Sequence, residues 1–331
     1  MKIAFFSTKD YDRKYFDRNF GPKHQVVYFE TRLREDTVQL CKGLDGVCVF
    51  VNDVVNRAVI DKLREFSINL ILLRCAGFNQ VDLQAAHASG IRVFRVPAYS
   101  PEAVAEHALA LIMTLNRKTH KAYNRVRELN FSLEKLIGFD LRGKQVGVIG
   151  TGKIGAAFCR IMLGFGTRVL AFDKFEQQPL KDLGVEYTSL DTALSRSHII
   201  SLHCPLNRET KYLIKRESIK KMMDGVMLIN TSRGGLINTR DVIHALKHEK
   251  IGYLGIDVYE QEDKLFFEDF SETILKDELI ARLLTFPNVL ITAHQGFLTH
   301  EALDQISSTT LDNVTAFLEN RTNENEVFAG M

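Results

Sequence analysis

No two of the five cysteines stand close together: Cys41, Cys48, Cys75, Cys159 and Cys204 are scattered, several inside apolar runs. That spacing gives neither a disulfide framework nor a zinc site, and it suits buried thiols in a reducing cytoplasm. No His-Glu-x-x-His, paired-cysteine or calcium-loop spacing occurs, so no metal is expected. An excess of charge is also missing. With 43 basic and 41 acidic residues, a net charge of +2 gives no reason to expect nucleic acid or an anionic membrane as partner. No apolar run approaches the length of a membrane span. The start, Met1-Lys2-Ile3-Ala4-Phe5-Phe6-Ser7, meets charge too early for a signal peptide and reads as a first strand. Repeats and low-complexity segments are absent too.

What is present is ordinary globular composition, 45% hydrophobic and 25% charged, over 331 residues, enough for two domains each with a core. The first part alternates strand-like runs with helical patterns. The strands are Lys2–Ser7, Gln25–Phe29, Gly46–Phe50, Leu70–Arg74 and Ile91–Val96. Amphipathic stretches lie between them, such as Arg57–Phe66 behind an Asn56 cap and Val81–Ser89 stopped by Gly90. Such alternation means a parallel sheet covered by helices. Pro97-Ala98-Tyr99-Ser100-Pro101 then breaks the pattern and marks a boundary. Ser100-Pro101-Glu102 starts a helix that is apolar on more than one side, through Ala103, Val104, His107, Leu111 and Leu115; burial between domains or subunits is expected of it.

The second part opens on Val146-Gly147-Val148-Ile149, a short buried strand that runs into Gly150-x-Gly152-x-x-Gly155. A helical pattern follows at Ile154, Ala157, Phe158, Ile161 and Met162. Strand, glycine turn and helix in this order form the dinucleotide fingerprint. Gly150 permits the turn, Gly152 lets backbone approach a pyrophosphate, and Gly155 lets helix lie on strand. The helix start supplies free amides and the positive dipole end. The next apolar run ends in Asp173, 21 residues past Gly152, where an acid accepts from a ribose diol and repels a 2′-phosphate. NAD is therefore expected rather than NADP. Further strands at Val169–Phe172, Ile199–His203, Val226–Asn230, Tyr253–Asp257 and Val289–Thr292 alternate with helices at Asp191–Ser195, Ser218–Met223 and Thr239–Lys247. This is a doubly wound sheet with its ligand crevice beyond the carboxyl ends of the strands. An amphipathic pattern closes the chain, Ala302 to Leu318, and Lys264 to Glu278 reads as an acidic inserted surface loop.

Three charged residues fall just past strands of this second unit: Arg233, Glu262 and His294. They suit a 2-oxo acid. Arginine offers a fork of donors to a carboxylate and the carbonyl oxygen beside it. Histidine passes a proton to or from the oxygen that becomes a hydroxyl. A carboxylate beside it favours the imidazolium and fixes its orientation. Read one at a time, each is also an ordinary strand-end arginine, solvated acid or structural histidine. His107, His120, His198, His244 and His248 are read as structural.

In their phrases these residues resemble one family. Val148-Ile149-Gly150-Thr151-Gly152-Lys153-Ile154-Gly155, Ile229-Asn230-Thr231-Ser232-Arg233-Gly234-Gly235, Gly255-Ile256-Asp257-Val258-Tyr259-Glu260 and Thr292-Ala293-His294-Gln295-Gly296-Phe297 resemble the D-isomer-specific 2-hydroxyacid dehydrogenases. Arg74-Cys75-Ala76-Gly77-Phe78-Asn79 and Val96-Pro97-Ala98-Tyr99-Ser100-Pro101 point to the fermentative D-lactate branch, as does Gln295-Gly296-Phe297. The likeness spans nearly the whole chain. It implies two α/β domains: a discontinuous flavodoxin-like substrate domain, 1–100 and 299–331, and a Rossmann NAD-binding domain, 101–298. It implies a cleft between domains that close over cofactor and substrate, and a cytoplasmic homodimer or homotetramer with the helix after Pro101 as interface. It implies NAD-dependent reduction of pyruvate to D-lactate. Arg233 would bind substrate, with His294 as acid/base and Glu262 as its partner. Backbone at Ala76, Gly77 and Phe78 would hold the carboxylate, with Tyr99 and Phe297 shaping a methyl pocket. Gly150, Gly152, Lys153, Ile154, Gly155 and Asp173 would hold the cofactor, with His203, Cys204, Pro205, Thr231 and Ser232 lining its cleft. Asp257 would bind the nicotinamide carboxamide. The alternatives are a dehydrogenase for larger 2-oxo acids (D-2-hydroxyisocaproate, phenyllactate) and a non-catalytic NAD-sensing corepressor of the same fold.

Overall fold

Runs of branched and long aliphatic residues set the architecture. In the computed structural model, which describes residues 1–262 and 265–330, these runs form two wholly parallel sheets. Asp263, Lys264 and Met331 lie outside the described residues, so the expected acidic loop is described from 265 onward. The chain divides into two units, Met1–Ser100 with Phe297–Met331, and Pro101–Gly296.

The first unit contains β1 (Lys2–Phe5), α1 (Asp10–Phe20), β2 (Gln25–Tyr28), β3 (Gly46–Val49), α2 (Arg57–Glu65), β4 (Leu70–Leu73), α3 (Leu83–Ala88) and β5 (Arg92–Arg95). The strand order is β2-β1-β3-β4-β5, the flavodoxin-like winding. All four residues of β3 and of β4 are buried, as a parallel sheet with both faces covered requires. Asn56 caps α2 by accepting from the Val59 amide (3.1 Å), and Asp82 caps α3 through the Ala85 amide (2.9 Å).

The second unit contains α4 (Pro101–Arg117), α5 (Thr119–Arg127), β6 (Gln145–Ile149), α6 (Lys153–Gly164), β7 (Arg168–Phe172), α7 (Gln178–Asp182), β8 (Glu186–Tyr187), α8 (Leu190–Arg196), β9 (Ile199–Leu202), α9 (Arg216–Lys221), β10 (Val226–Asn230), α10 (Thr239–Lys247), β11 (Ile251–Ile256), α11 (Glu278–Leu284) and β12 (Val289–Ile291). The order β12-β11-β10-β9-β6-β7-β8 runs one way from β6 through β7 and the other way from β6 through β9, so the winding reverses direction between β6 and β9. Ligands of such sheets bind at that switch point. The last helix, α12 (His300–Leu318), packs on α1, β4 and β5 of the first unit. Thr299 caps it, accepting from the Ala302 amide at 3.2 Å.

The helix after Pro101, expected to be buried between domains or subunits, finds cover along one side within its own unit. Ala105, Ala108, Leu111, Ile112 and Leu115 are buried in one core with Val146, Val148, Phe158 and Met162 of its own unit. Exposed large apolar side chains occur just beyond it: Tyr123, Val126, Leu129, Phe131, Leu133 and Ile137. One expectation needs correction: the acidic stretch is not a plain surface loop. Phe266 is buried with Tyr259 and Ile280, and Asp277 caps α11, accepting from the Leu279 and Ile280 amides and from the Tyr259 hydroxyl. The buried Phe266 ring pins it down.

Candidate active site

The glycine turn comes first in the chain. Gly150 has φ +95°, and a Cβ there would lie 2.6 Å from the Cys204 amide nitrogen. A Cβ on Gly155 would overlap the Gly150 carbonyl oxygen, far inside van der Waals contact. Thus α6 lies directly on the end of β6, and that turn lies directly on the 203–204 backbone beyond β9. Gly152, the residue before α6, differs: a Cβ there would meet nothing within 4 Å. The space beside it is open, as the close approach of a phosphate requires. Lys153 and Ile154 open the helix and present first-turn amides.

Asp173, at the end of β7, accepts from the Thr151 amide (2.6 Å) and the Phe175 amide (2.9 Å). It therefore ties the glycine turn to the next strand while remaining partly exposed. Lys174, the residue after Asp173, pairs its ammonium with Glu209.

Two further candidates hold buried polar atoms without a partner among the described residues: His203 Nδ1 and Thr231 Oγ1. Orphaned polar groups of this kind are completed by a bound polar ligand. The residues present therefore fit a dinucleotide. Ser232 donates to the Cys204 carbonyl (2.8 Å), which joins the β9 and β10 ends, and Pro205 follows exposed. Burial pushes the Cys204 thiol up to about 11, so it stays neutral.

His203 is held by Ser201 (Nε2 to Oγ, 2.9 Å) and by the Phe158 ring at 4.8 Å. Burial lowers its pKa from 6.5 to about 3. The sign follows: between those values the unfolded chain takes up a proton that the folded chain refuses. Stability is full above the unfolded pKa and is lost as pH falls toward the folded one. Lowering the pH from about 6.5 to 5.5 should cost the wild-type protein about 1 kcal/mol more than His203→Gln. Urea unfolding midpoints at both pH values measure this, and equal slopes would show that His203 is not held neutral.

Arg233, Glu262 and His294 follow β10, β11 and β12, three neighbouring strands in register: Asn230 pairs with Ile256, and Ile256 with Ile291. Gly234 explains how the first two loops meet, since a Cβ there would overlap the Tyr259 carbonyl. The Arg233 side chain is exposed, donates to the Ser232 carbonyl (2.7 Å), and pairs with no carboxylate among the described residues. Glu262 is fixed at both oxygens: Oε2 accepts from the Tyr259 amide (2.8 Å) and Oε1 faces His294 Nδ1 (2.9 Å). A carboxylate can only accept, so Nδ1 carries the proton there and Nε2 is the outward atom. His294 itself has φ +52°, a left-handed conformation unusual for a non-glycine residue. Its amide donates to the Asp257 carbonyl oxygen (2.7 Å). The Phe267 ring lies 6.1 Å from the imidazole, a neighbour with no recognisable sequence signal.

Asp257, expected at the carboxamide, is 1% exposed. Both its oxygens are engaged within the chain, by Thr292, the amides of Gln295 and Gly296, and His107. His107, read as structural, reaches Thr292 and Asp257 from α4. Its only sequence signal was being a polar residue within that helix's buried stripe.

In the first unit, Ala76, Gly77 and Phe78 follow β4. Arg95 donates to the Ala76 carbonyl (2.9 Å) and stacks on Phe78 (5.2 Å), and Cys75 Sγ donates to the Gly77 carbonyl (3.3 Å). Tyr99 and Phe50 each meet Phe297 with ring centroids 6.1 Å apart. Beneath Phe50 lies Arg74, fully buried and paired with Asp12.

The chain is similar from end to end to known proteins. The family model for the D-isomer specific 2-hydroxyacid dehydrogenase, NAD binding domain, matches residues 109–296. A 2-hydroxyacid dehydrogenase homolog of Haemophilus influenzae is 52% identical over 99% of this chain and 99% of its own. The D-lactate dehydrogenase of Escherichia coli K12 is 51% identical over 99% of this chain and 100% of its own. A solved structure, described as the pyruvate reductase of Chlamydomonas reinhardtii, superposes with TM-score 0.95 at 44% identity, covering 98% of both chains. No helix among the described residues is long and apolar enough to cross a membrane. A family model over more than half the chain, and relatives about half identical from end to end, make the chain a member of the D-isomer specific 2-hydroxyacid dehydrogenases, NAD-dependent oxidoreductases.

Proposed function

We propose that this chain is a D-lactate dehydrogenase that reduces pyruvate to D-lactate with NADH. The observation that carries the reading is the Glu262–His294 pair and an Arg233 that meets no carboxylate among the described residues, on the ends of three adjacent strands. When bound, NADH supplies the hydride for the carbonyl carbon. Arg233 binds the substrate carboxylate and carbonyl oxygen with its fork of donors. His294 gives the proton on Nε2 to that oxygen, and takes it back in the reverse direction. Glu262 holds Nδ1–H, so the imidazole has one orientation and its cation a counter-charge.

In the first unit, the backbone of Ala76, Gly77 and Phe78 is the candidate for the carboxylate. Arg95 and Cys75 occupy two of its carbonyls, which leaves amides as the groups to offer an anion. Tyr99 and Phe297 form an aromatic wall suited to a methyl group. For the cofactor, Gly150, Gly152, Lys153, Ile154 and Gly155 hold the pyrophosphate, Asp173 takes the ribose, and His203, Cys204, Pro205, Thr231 and Ser232 line the rest. Names of relatives support lactate over larger acids: the E. coli relative is a D-lactate dehydrogenase, and the Chlamydomonas one a pyruvate reductase. A homodimer or homotetramer belongs to this reading, supported by exposed Leu129 (79%), Leu133 (81%) and Ile137 (84%). So does the cytoplasm, supported by five buried cysteines, all free thiols.

The test is to mix purified protein with NADH and pyruvate, follow NADH absorbance, and assay the product's handedness. Rapid formation of D-lactate is expected, with higher kcat/KM on pyruvate than on 4-methyl-2-oxopentanoate. A clear win for the larger acid replaces the lactate reading. NADH binding without turnover of either would favour the corepressor.

A further inference from the structure

The turn 292–296 bends sharply to aim His294, and one buried carboxylate holds it. Three consecutive amides end on Asp257: His294 N on its carbonyl (2.7 Å), Gln295 N on Oδ1 (2.9 Å) and Gly296 N on Oδ2 (2.8 Å). The Thr292 hydroxyl also donates to Oδ1. His107 reaches the same place from α4, with Nε2 at 3.0 Å from Thr292 Oγ1 and 3.3 Å from Asp257 Oδ1. The hydroxyl hydrogen of Thr292 is committed to Asp257, so both atoms facing Nε2 are acceptors. His107 Nε2 therefore carries a proton and is the donor. A Cβ on Gly296 would come within 3.0 Å of Asp257 Oδ2 and 3.4 Å of His107 Cδ2, so the turn is packed against both.

A carboxylate 1% exposed is expensive to keep charged without donors. Burial alone would raise the Asp257 pKa. Hydrogen bonds from His107 and Thr292, the charge of His107 and the Gln295 amide outweigh it, and the group is held below the ordinary carboxylate range. The anion in turn accepts the amides that keep His294 at φ +52°. The carboxylate holds the Gln295 and Gly296 amides and the Asp257 carbonyl holds that of His294, and together they offset the strain of that conformation.

We propose that His107 is a positioning residue for the reaction: by donating from Nε2 to Asp257 and Thr292, it locks the 292–296 turn and so aims His294. The inference rests on His294 being the proton donor of the proposed reaction. His107→Leu removes the donor and keeps the bulk. His107→Gln restores an N–H at similar reach. Loss of aim should lower kcat for pyruvate about 10- to 100-fold in His107→Leu, leaving the NADH dissociation constant within about threefold, and His107→Gln should recover most of the loss. Equal losses in Leu and Gln, or wild-type kcat in a folded His107→Leu, overturn the proposal. Should His107→Leu fail to fold, Thr292→Val deletes the bridging hydroxyl instead, and the same fall is expected of it; wild-type kcat there overturns the proposal as well.

A second readout does not depend on activity. In protein labelled at histidine Cε1, the His294 resonance is assigned by its disappearance in His294→Ala. It should move in His107→Leu and return in His107→Gln. A stationary resonance in His107→Leu overturns the positioning role whether or not pyruvate is the substrate. A wild-type protein that reduces no 2-oxo acid, with the resonance still responding, overturns the proposed function alone.

Discussion

Replacing His294 with alanine should lower kcat for pyruvate reduction by about 10²- to 10⁴-fold while NADH affinity stays within about twofold. The size follows from what is lost. The carbonyl oxygen gains negative charge as hydride arrives, and a positioned donor neutralises it in the transition state, not before. An interaction made mainly in the transition state lowers kcat rather than ground-state binding. Alanine also leaves Glu262 Oε1 without its partner, but Oε2 remains on the Tyr259 amide, so the loop after β11 keeps an anchor. The glycine turn after β6 is built from other residues, which is why NADH binding should survive. Stopped-flow NADH fluorescence and steady-state kcat on one preparation measure both. An undiminished kcat would mean that the proton comes from elsewhere.

The parts of this molecule that short-range pattern can carry were readable in advance. Strand limits agree with the expected runs to within about two residues, because both-face burial writes a continuous apolar run into the sequence. The two parallel sheets follow from that alternation, and Gly150, Gly152 and Gly155 announced their turn by spacing alone. The short elements β8, α7 and α11 are too short to show a period, and α5 buries no residue, so no apolar stripe marks it.

Long-range partnership was the harder thing to read. His107 and Thr292 are 185 positions apart, and nothing in either neighbourhood names the other. The same blindness left open what covers α4. An all-round apolar helix in sequence says only that it is covered, and here β6 and α6 of its own unit contribute the cover. The acidic stretch was read as a surface loop for the opposite reason: its acids outweighed its phenylalanines in composition, although a single buried ring is enough to pin a segment. Glu262 and His294 were found through their phrases. Their geometry adds the tautomer, which no sequence contains.

The glycine turn yields the other large effect, through a contrast between two of its members. In Gly155→Ala the new methyl would sit on the Gly150 carbonyl oxygen, which is backbone and belongs to a turn already at φ +95°. β6 cannot retreat, because β7 and β9 hold it on both sides. Helix α6 must lift instead, carrying the amides of Lys153 and Ile154 away from their place. Overpacking of this kind costs about 1–3 kcal/mol or more, and NADH binding should weaken by about 100-fold or beyond, since the anion site is the displaced helix start. In Gly152→Ala the methyl meets no protein atom within 4 Å, and φ −58° suits alanine. That variant should keep the wild-type Tm and still bind NADH poorly, because its methyl fills space that only a ligand needs. Thermal unfolding and NADH titration of the two variants separate fold from binding. A Gly155→Ala protein with unchanged Tm would show that the helix has room to move, and a Gly152→Ala protein with unchanged NADH affinity would place the pyrophosphate away from this turn.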